Sequence, residues 1–193
     1  EAKSSAFVWV VDPLDGTKSF IENKSGFSVS ICVLKRGVPI IGVVYDVMED
    51  QMYVAAKNQG VLVNGKKQVG NEEGNLLLLR NNAEPYRSAI EPIAQSLGVS
   101  HGFFSSTALA LALVAAGKAR AVLKLSYMPW DVAAGCLLVE ESGGIVTDCF
   151  GKKLDFSEPT RRNDFGIFVA SKEIHHVLIP KIIEFAYGQG VRG

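Results

Sequence analysis

Two aspartates three residues apart, Asp12 and Asp15, enclose Pro13-Leu14 and run directly into Gly16 and Thr17. Pro13 restricts the backbone between them, so both carboxylates can converge on one point. Carboxylates held that close repel each other unless a proton or a cation lies between them. A hard divalent ion such as Mg2+ suits the role, because it prefers oxygen ligands and keeps positions open for water and phosphate. Gly16 lets an anion approach the backbone, N–H groups at the start of the next turn can receive it, and the Thr17 hydroxyl stands beside them. A solvated acidic turn with an aspartate as helix cap is the plainer alternative. Spacing by itself allows both. A third carboxylate, Asp131, sits in Trp130-Asp131-Val132-Ala133-Ala134-Gly135 at an expected strand-to-helix junction. It is either an ordinary N-cap or, if it converges on the first pair, a third ligand.

The elements that must position these groups follow from periodicity. Phe7 to Val11 is an apolar run of β-branched and aromatic residues and reads as a buried strand that delivers Asp12 to the turn. Gly26 to Leu34, Val38 to Asp46, Gln51 to Ala56 and Val61 to Val63 read as further strands of an antiparallel meander. Lys35-Arg36-Gly37 and Asn64-Gly65 are its tight turns. Gly70 to Gly74 is rich in Asn, Glu and Gly and marks a boundary. It divides the chain into an N-terminal half, residues 1–70, and a C-terminal half, residues 71–193. In the second half strands (Leu76 to Leu79, a short one before Ser105, Ala119 to Leu125, Ile145 to Thr147, Phe165 to Ala170) alternate with helices. The helices are expected over Tyr86 to Leu97, Ala108 to Ala116, Val132 to Ser142 and Lys172 to Tyr187. Ser105, Ser106 and Thr107 supply the cap of the second, and Asp131 that of the third. The class is α/β with layered sheets and helices.

Composition narrows the function. The chain has 193 residues, 48% of them hydrophobic, enough for a substantial core. Twenty basic residues balance twenty acidic ones, which removes a bulk electrostatic argument for a nucleic acid polymer or an anionic membrane. No apolar run reaches membrane-spanning length. Cys32, Cys136 and Cys149 are odd in number and widely spaced, so neither a disulfide framework nor a zinc site is indicated, and a reducing, cytoplasmic setting is expected. His175 and His176 begin the last helix, one packed and one solvated. His101, Arg161-Arg162, Asp155 and Asp164 are read as loop or turn residues.

Asp12-Pro13-Leu14-Asp15-Gly16-Thr17, Trp130-Asp131-Val132-Ala133-Ala134-Gly135 and Glu141-Ser142-Gly143-Gly144, in this order, resemble the inositol monophosphatase family of Mg2+-dependent, lithium-sensitive phosphatases. The resemblance implies a sugar phosphatase-like fold of alternating α-β-α-β-α layers and a homodimer. It also implies a two-metal hydrolysis of a small phosphate ester, whether an inositol phosphate, nucleotide bisphosphate, sugar phosphate or histidinol phosphate. Position by position, it implies that Asp12 bridges two metals, the Leu14 carbonyl binds one, and Asp15 and Asp131 bind the other. Gly16 and Thr17 would hold phosphate through their N–H groups, and the Thr17 hydroxyl would position the attacking water.

Two departures accompany the match. In the family a glutamate upstream of the first motif binds the first metal, whereas here eleven residues precede Asp12 and Glu1 is the sole glutamate among them. The N-terminal helices of the family are therefore expected to be missing, leaving apolar sheet surface exposed. The alternative to an enzyme is a catalytically silent fragment or degenerate homologue that acts by binding or assembly. The second departure is at the substrate end, where Ser105, Ser106, Thr107 and Lys124 stand at family positions that contact substrate. An acidic residue there accepts hydrogen bonds from sugar hydroxyls, which Lys124 cannot do. Lys124 either binds a second anionic group or extends to solvent.

Overall fold

The structure, a computed structural model, describes residues 7–68, 76–79, 91–92, 95 and 100–188. Strands β1 (Phe7–Asp15), β2 (Ser28–Lys35), β3 (Val38–Asp46), β4 (Gln51–Ala56), β5 (Val61–Val63) and β6 (Lys66–Lys67) form one antiparallel sheet in sequence order. A second sheet holds β7 (Leu76–Leu79), β8 (Ser100–Phe103), β9 (Ala121–Lys124), β10 (Ile145–Thr147) and β11 (Ile167–Ala170), in the order β10-β11-β9-β7-β8. Its β7 runs parallel to β8 and β9, while β11 is antiparallel to both neighbours. The helices whose bounds lie among the described residues are α1 (Thr17–Ile21), α2 (Thr107–Ala115), α3 (Pro129–Glu141) and α4 (Lys172–Gly188).

The middle layer explains the composition of its helices. Eight of the nine residues of α2 are buried, and α3 is buried from Val132 to Val139. A helix that is apolar on every side is stable only with neighbours on every side. One cluster joins Val10, Cys32, Val44 and Tyr53 of the first sheet to Leu111 and Ala112 of α2, Val132 and Leu138 of α3, and Val122 and Val169 of the second sheet. The opposite face of the second sheet, Ala121, Leu123, Phe168 and Ala170, packs on Leu178, Ile182, Phe185 and Ala186 of α4. Layers therefore run sheet, helices, sheet, helix. Small residues set the spacing: a side-chain carbon at Gly135 would lie 2.5 Å from Cβ of Leu111.

The meander turns are where the sequence places them. Arg36 and Gly37, and Asn64 and Gly65, all have positive φ, as two-residue hairpin turns require. His175 is buried beside Thr147 while His176 is exposed, as read from sequence. Four expectations change. Asp12 and Asp15 do not flank a turn, because β1 continues through both. Helix α3 starts at Pro129, since proline is preorganised for the first helical position, so Asp131 is its third residue and not its N-cap. His101 lies within β8, paired with Leu77, and not in a loop. The strands at the second sheet's centre are shorter than the apolar runs that announce them: β9 is Ala121–Lys124 and β11 is Ile167–Ala170. The boundary stretch 70–74 and almost all of the helix expected over residues 86–97 lie outside the described residues.

Among the described residues, one face of the first sheet is left uncovered. Val8 and Val10 point inward, whereas Phe7, Trp9, Val11, Ile41, Met52 and Leu62 are exposed. Trp9 is 70% accessible. The chain's other tryptophan, Trp130, packs on the core instead. In a Trp130→Phe variant of this 193-residue chain, Trp9 fluorescence should resemble free tryptophan in water and be fully open to acrylamide quenching. A blue-shifted, protected emission would mean that something covers this face.

Candidate metal centre

The site begins with an irregularity in β1. Asp12 pairs with Ser30 and Asp15 with Ser28, so three steps along β1 answer two along β2. On a regular strand, residues three apart face opposite ways. The extra residue, a bulge at Pro13-Leu14, restores them to one side. Inward positions are accordingly even-numbered up to Asp12 and odd-numbered at Asp15. Pro13 fits here because β1 is an edge strand and a bulge needs no ladder donor.

Asp15 is buried and seated on the start of α2. Its Oδ2 accepts from Ala108 N–H at 2.7 Å and from the Ser106 hydroxyl at 2.8 Å. Ser106 is the N-cap of α2, accepting from Leu109 N–H at 3.0 Å. Because its single proton goes to Asp15, the Ser28 hydroxyl, 2.8 Å away, must be the donor between the two serines. Asp12 is half-buried, and its Oδ1 accepts from Leu14 N–H at 3.0 Å. Asp131 enters from the first turn of α3, whose position is tied to β2 by the Ser30 hydroxyl donating to the Trp130 carbonyl at 3.2 Å. One oxygen from each of Asp12, Asp15 and Asp131 lies within 4.8 Å of the others.

Gathering these groups perturbs the titration of Asp15 and Asp12. Burial pushes the Asp15 carboxyl up to about 6; the Ala108 and Ser106 donors oppose this, and the charges of Asp131 and Asp12 add to it. Burial also raises Asp12, with Leu14 N–H opposing, Asp131 raising it further and Lys124 lowering it. Three carboxylate oxygens brought to one point match a hard divalent cation far better than a soft one.

The other expected residues lie around this cluster, in ways the sequence does not announce. The Thr17 hydroxyl donates to the Leu14 carbonyl at 3.1 Å. Gly16 has φ 90°, and a side-chain carbon there would lie 2.8 Å from the Gly26 carbonyl and 3.1 Å from Ser106 N. Its first service is thus to let the turn pack against the start of α2. Ser105 Oγ accepts from Ser19 N–H at 3.3 Å. Thr107 is buried and its hydroxyl accepts from Lys124 Nζ at 2.9 Å. Lys124 does not extend to solvent: its side chain is 12% exposed and pairs with Asp131 Oδ2 at 2.6 Å. Ser28, Ser30 and the Lys124–Asp131 pair escape a sequence reading, because each acts across 7 to about 100 residues through sheet register and helix docking.

The model of the inositol monophosphatase family matches residues 1–185. This chain belongs to the inositol monophosphatase family. It is 30% identical to the inositol-1-monophosphatase of Bacillus subtilis over 185 residues, which cover 91% of this chain and 68% of that protein. It is 39% identical to the Nus factor SuhB of Escherichia coli K12 over 152 residues, covering 74% of this chain and 57% of the relative. The chain thus spans little more than half the length of this relative. Inositol monophosphatase II from Staphylococcus aureus MSSA476 superposes with a TM-score of 0.83 at 27% identity, covering 97% of this chain and 73% of that one. A 2'AMP-bound structure of SaIMPase-II gives the same TM-score, identity and coverage. Monophosphatases among both sequence relatives and structural neighbours support a phosphomonoesterase and its layered fold. No described helix is long and apolar enough to cross a membrane.

Protons and cations compete for this cluster, so pH reports on it. Above about pH 6 Asp15 is ionised and available; as pH falls through that value it takes a proton, and Mg2+ affinity should fall by about tenfold per pH unit. The sign reverses for the metal-free fold, which binds this proton more readily than the unfolded chain and is relieved of repulsion as pH falls from 6 towards the usual carboxylate value. Titration calorimetry with MgCl2 between pH 5 and pH 8 checks this, and an affinity flat across that range would contradict it.

Proposed function

We propose that this chain carries the Mg2+-binding, phosphate-cleaving face of a phosphomonoesterase, with Asp12, Asp15, Asp131 and the Leu14 carbonyl as the oxygen ligands. The observation behind this reading is the convergence of three carboxylates from β1 and α3 on one point. A divalent cation bound there would activate water and offset charge on the leaving oxygen. The chain's own residues do the rest. Asp15, anchored by Ser106 and Ala108, holds its oxygen in place before any ligand arrives, which spares reorganisation during reaction. The Thr17 hydroxyl spends its proton on the Leu14 carbonyl and so presents lone pairs with which it can accept from, and orient, an attacking water. The N–H groups of Gly16 and Thr17 are assigned to the phosphate.

For substrate we favour the monophosphate of a polyol or a ribose, in line with neighbouring structures bound to inositol monophosphate and to 2'AMP. Lys124 points into Asp131 and Thr107, which disfavours its reading a second phosphate on the substrate. A homodimer, a cytoplasmic location and lithium inhibition belong to the same proposal through the family. A second reading, action by binding or assembly without turnover, draws on the relatives named Nus factor.

Phosphate release from inositol 1-phosphate and 2'-AMP should require Mg2+, and Asp15→Asn should lower kcat/KM by about a hundredfold or more. Equal activity in wild type and variant would remove Asp15 from the site. Absence of Mg2+-dependent turnover in the wild type with either ester would favour the second reading.

A further inference from the structure

Lys124 is a cation already inside the site. Its backbone is fixed at the end of β9, where it pairs with Ile167 of β11. From there the ammonium reaches Asp131 Oδ2 at 2.6 Å and Thr107 Oγ1 at 2.9 Å, with both charged side chains largely buried, 12% and 16% exposed. Thr107 is itself buried, so the lysine is held on two sides by groups that do not move independently of α2 and α3. Oδ2 of Asp131 also receives Met128 N–H at 3.4 Å, which leaves Oδ1 for another ligand. Among the described residues, the three carboxylates and one ammonium gathered here carry a net charge of −2, which one divalent cation neutralises and a second would overshoot. An ammonium this close to a metal position also repels the metal directly, in a setting with less water than the surface.

We propose that Lys124 is a resident cation of the site, shared between Asp131 and Thr107, which confines the substrate-free site to one divalent ion and weakens its binding. This rests on the proposed metal site and departs from the two-metal arrangement that the family resemblance implies. Lys124 here is a positioning residue: it acts through Asp131, taking one of its oxygens and fixing the orientation of the other.

The test is Mg2+ binding without substrate, measured by titration calorimetry with MgCl2 at pH 8 on the 193-residue chain, its Lys124→Met variant and its Lys124→Arg variant. Circular dichroism verifies that each is folded. The wild type should take one Mg2+ per chain. Lys124→Met should bind Mg2+ about tenfold more tightly or take a second ion, whereas Lys124→Arg, which keeps the charge, should stay near the wild type. Identical stoichiometry and affinity in wild type and Lys124→Met would overturn the role of Lys124 while leaving the metal site standing. Two Mg2+ ions per wild-type chain would overturn it without recourse to any variant. No Mg2+ bound by either protein would overturn both this inference and the proposed function.

Discussion

The extra residue that β1 carries between Asp12 and Asp15 decides where every other part of the centre has to be. A strand alternates its side chains, so two aspartates three apart can share a face only if one position is taken out of register. Pro13-Leu14 does this at an edge strand, where an unpaired position costs least. Once both carboxylates face inward they meet the starts of α2 and α3, and these helices are placed by packing between two sheets. The centre is therefore a joint between layers. Its ligands come from the first sheet and one middle helix, and its anchors come from the other.

Charge then becomes the governing difficulty, since three carboxylates are gathered where water is partly excluded. The structure offsets this unevenly. Asp15, the most buried, has the start of α2: Ala108 N–H, the Ser106 hydroxyl, and the positive end of the helix. Asp131 has the Lys124 ammonium and the Met128 N–H. Asp12 has the Leu14 N–H and, at longer range, the Lys124 charge, and burial still raises it. A divalent cation bound between the three would offset the remaining charge, and the same groups would then be preorganised for chemistry on a phosphate ester.

Local chemistry in the sequence was readable, and long-range chemistry was not. The meander, its Asn64-Gly65 turn and the cap at Ser106 each depend on a few neighbouring residues whose preferences agree with the fold. The Asp12–Asp15 pair was legible as chemistry but misplaced as a turn, because a bulge is defined by the partner strand's register and Ser28 and Ser30 are remote in sequence. Asp131 read as a cap because aspartate at a strand-to-helix junction usually is one; Pro129 two residues earlier was the stronger signal for the helix start. Lys124 pairs with Asp131 seven residues on, across a strand end, a loop and a helix start. That separation matches no periodic spacing, so the sequence did not announce the pair, and the alternative of a side chain extended to solvent did not hold.

Everything functional in this account depends on one cation position shared by Asp12, Asp15 and Asp131. A crystal of the chain grown with Mn2+ in place of Mg2+ locates it through the anomalous signal of manganese. A peak bonded to carboxylate oxygens of all three aspartates is expected. A peak elsewhere on the molecule, or a well-ordered site with no peak at saturating Mn2+, would contradict it.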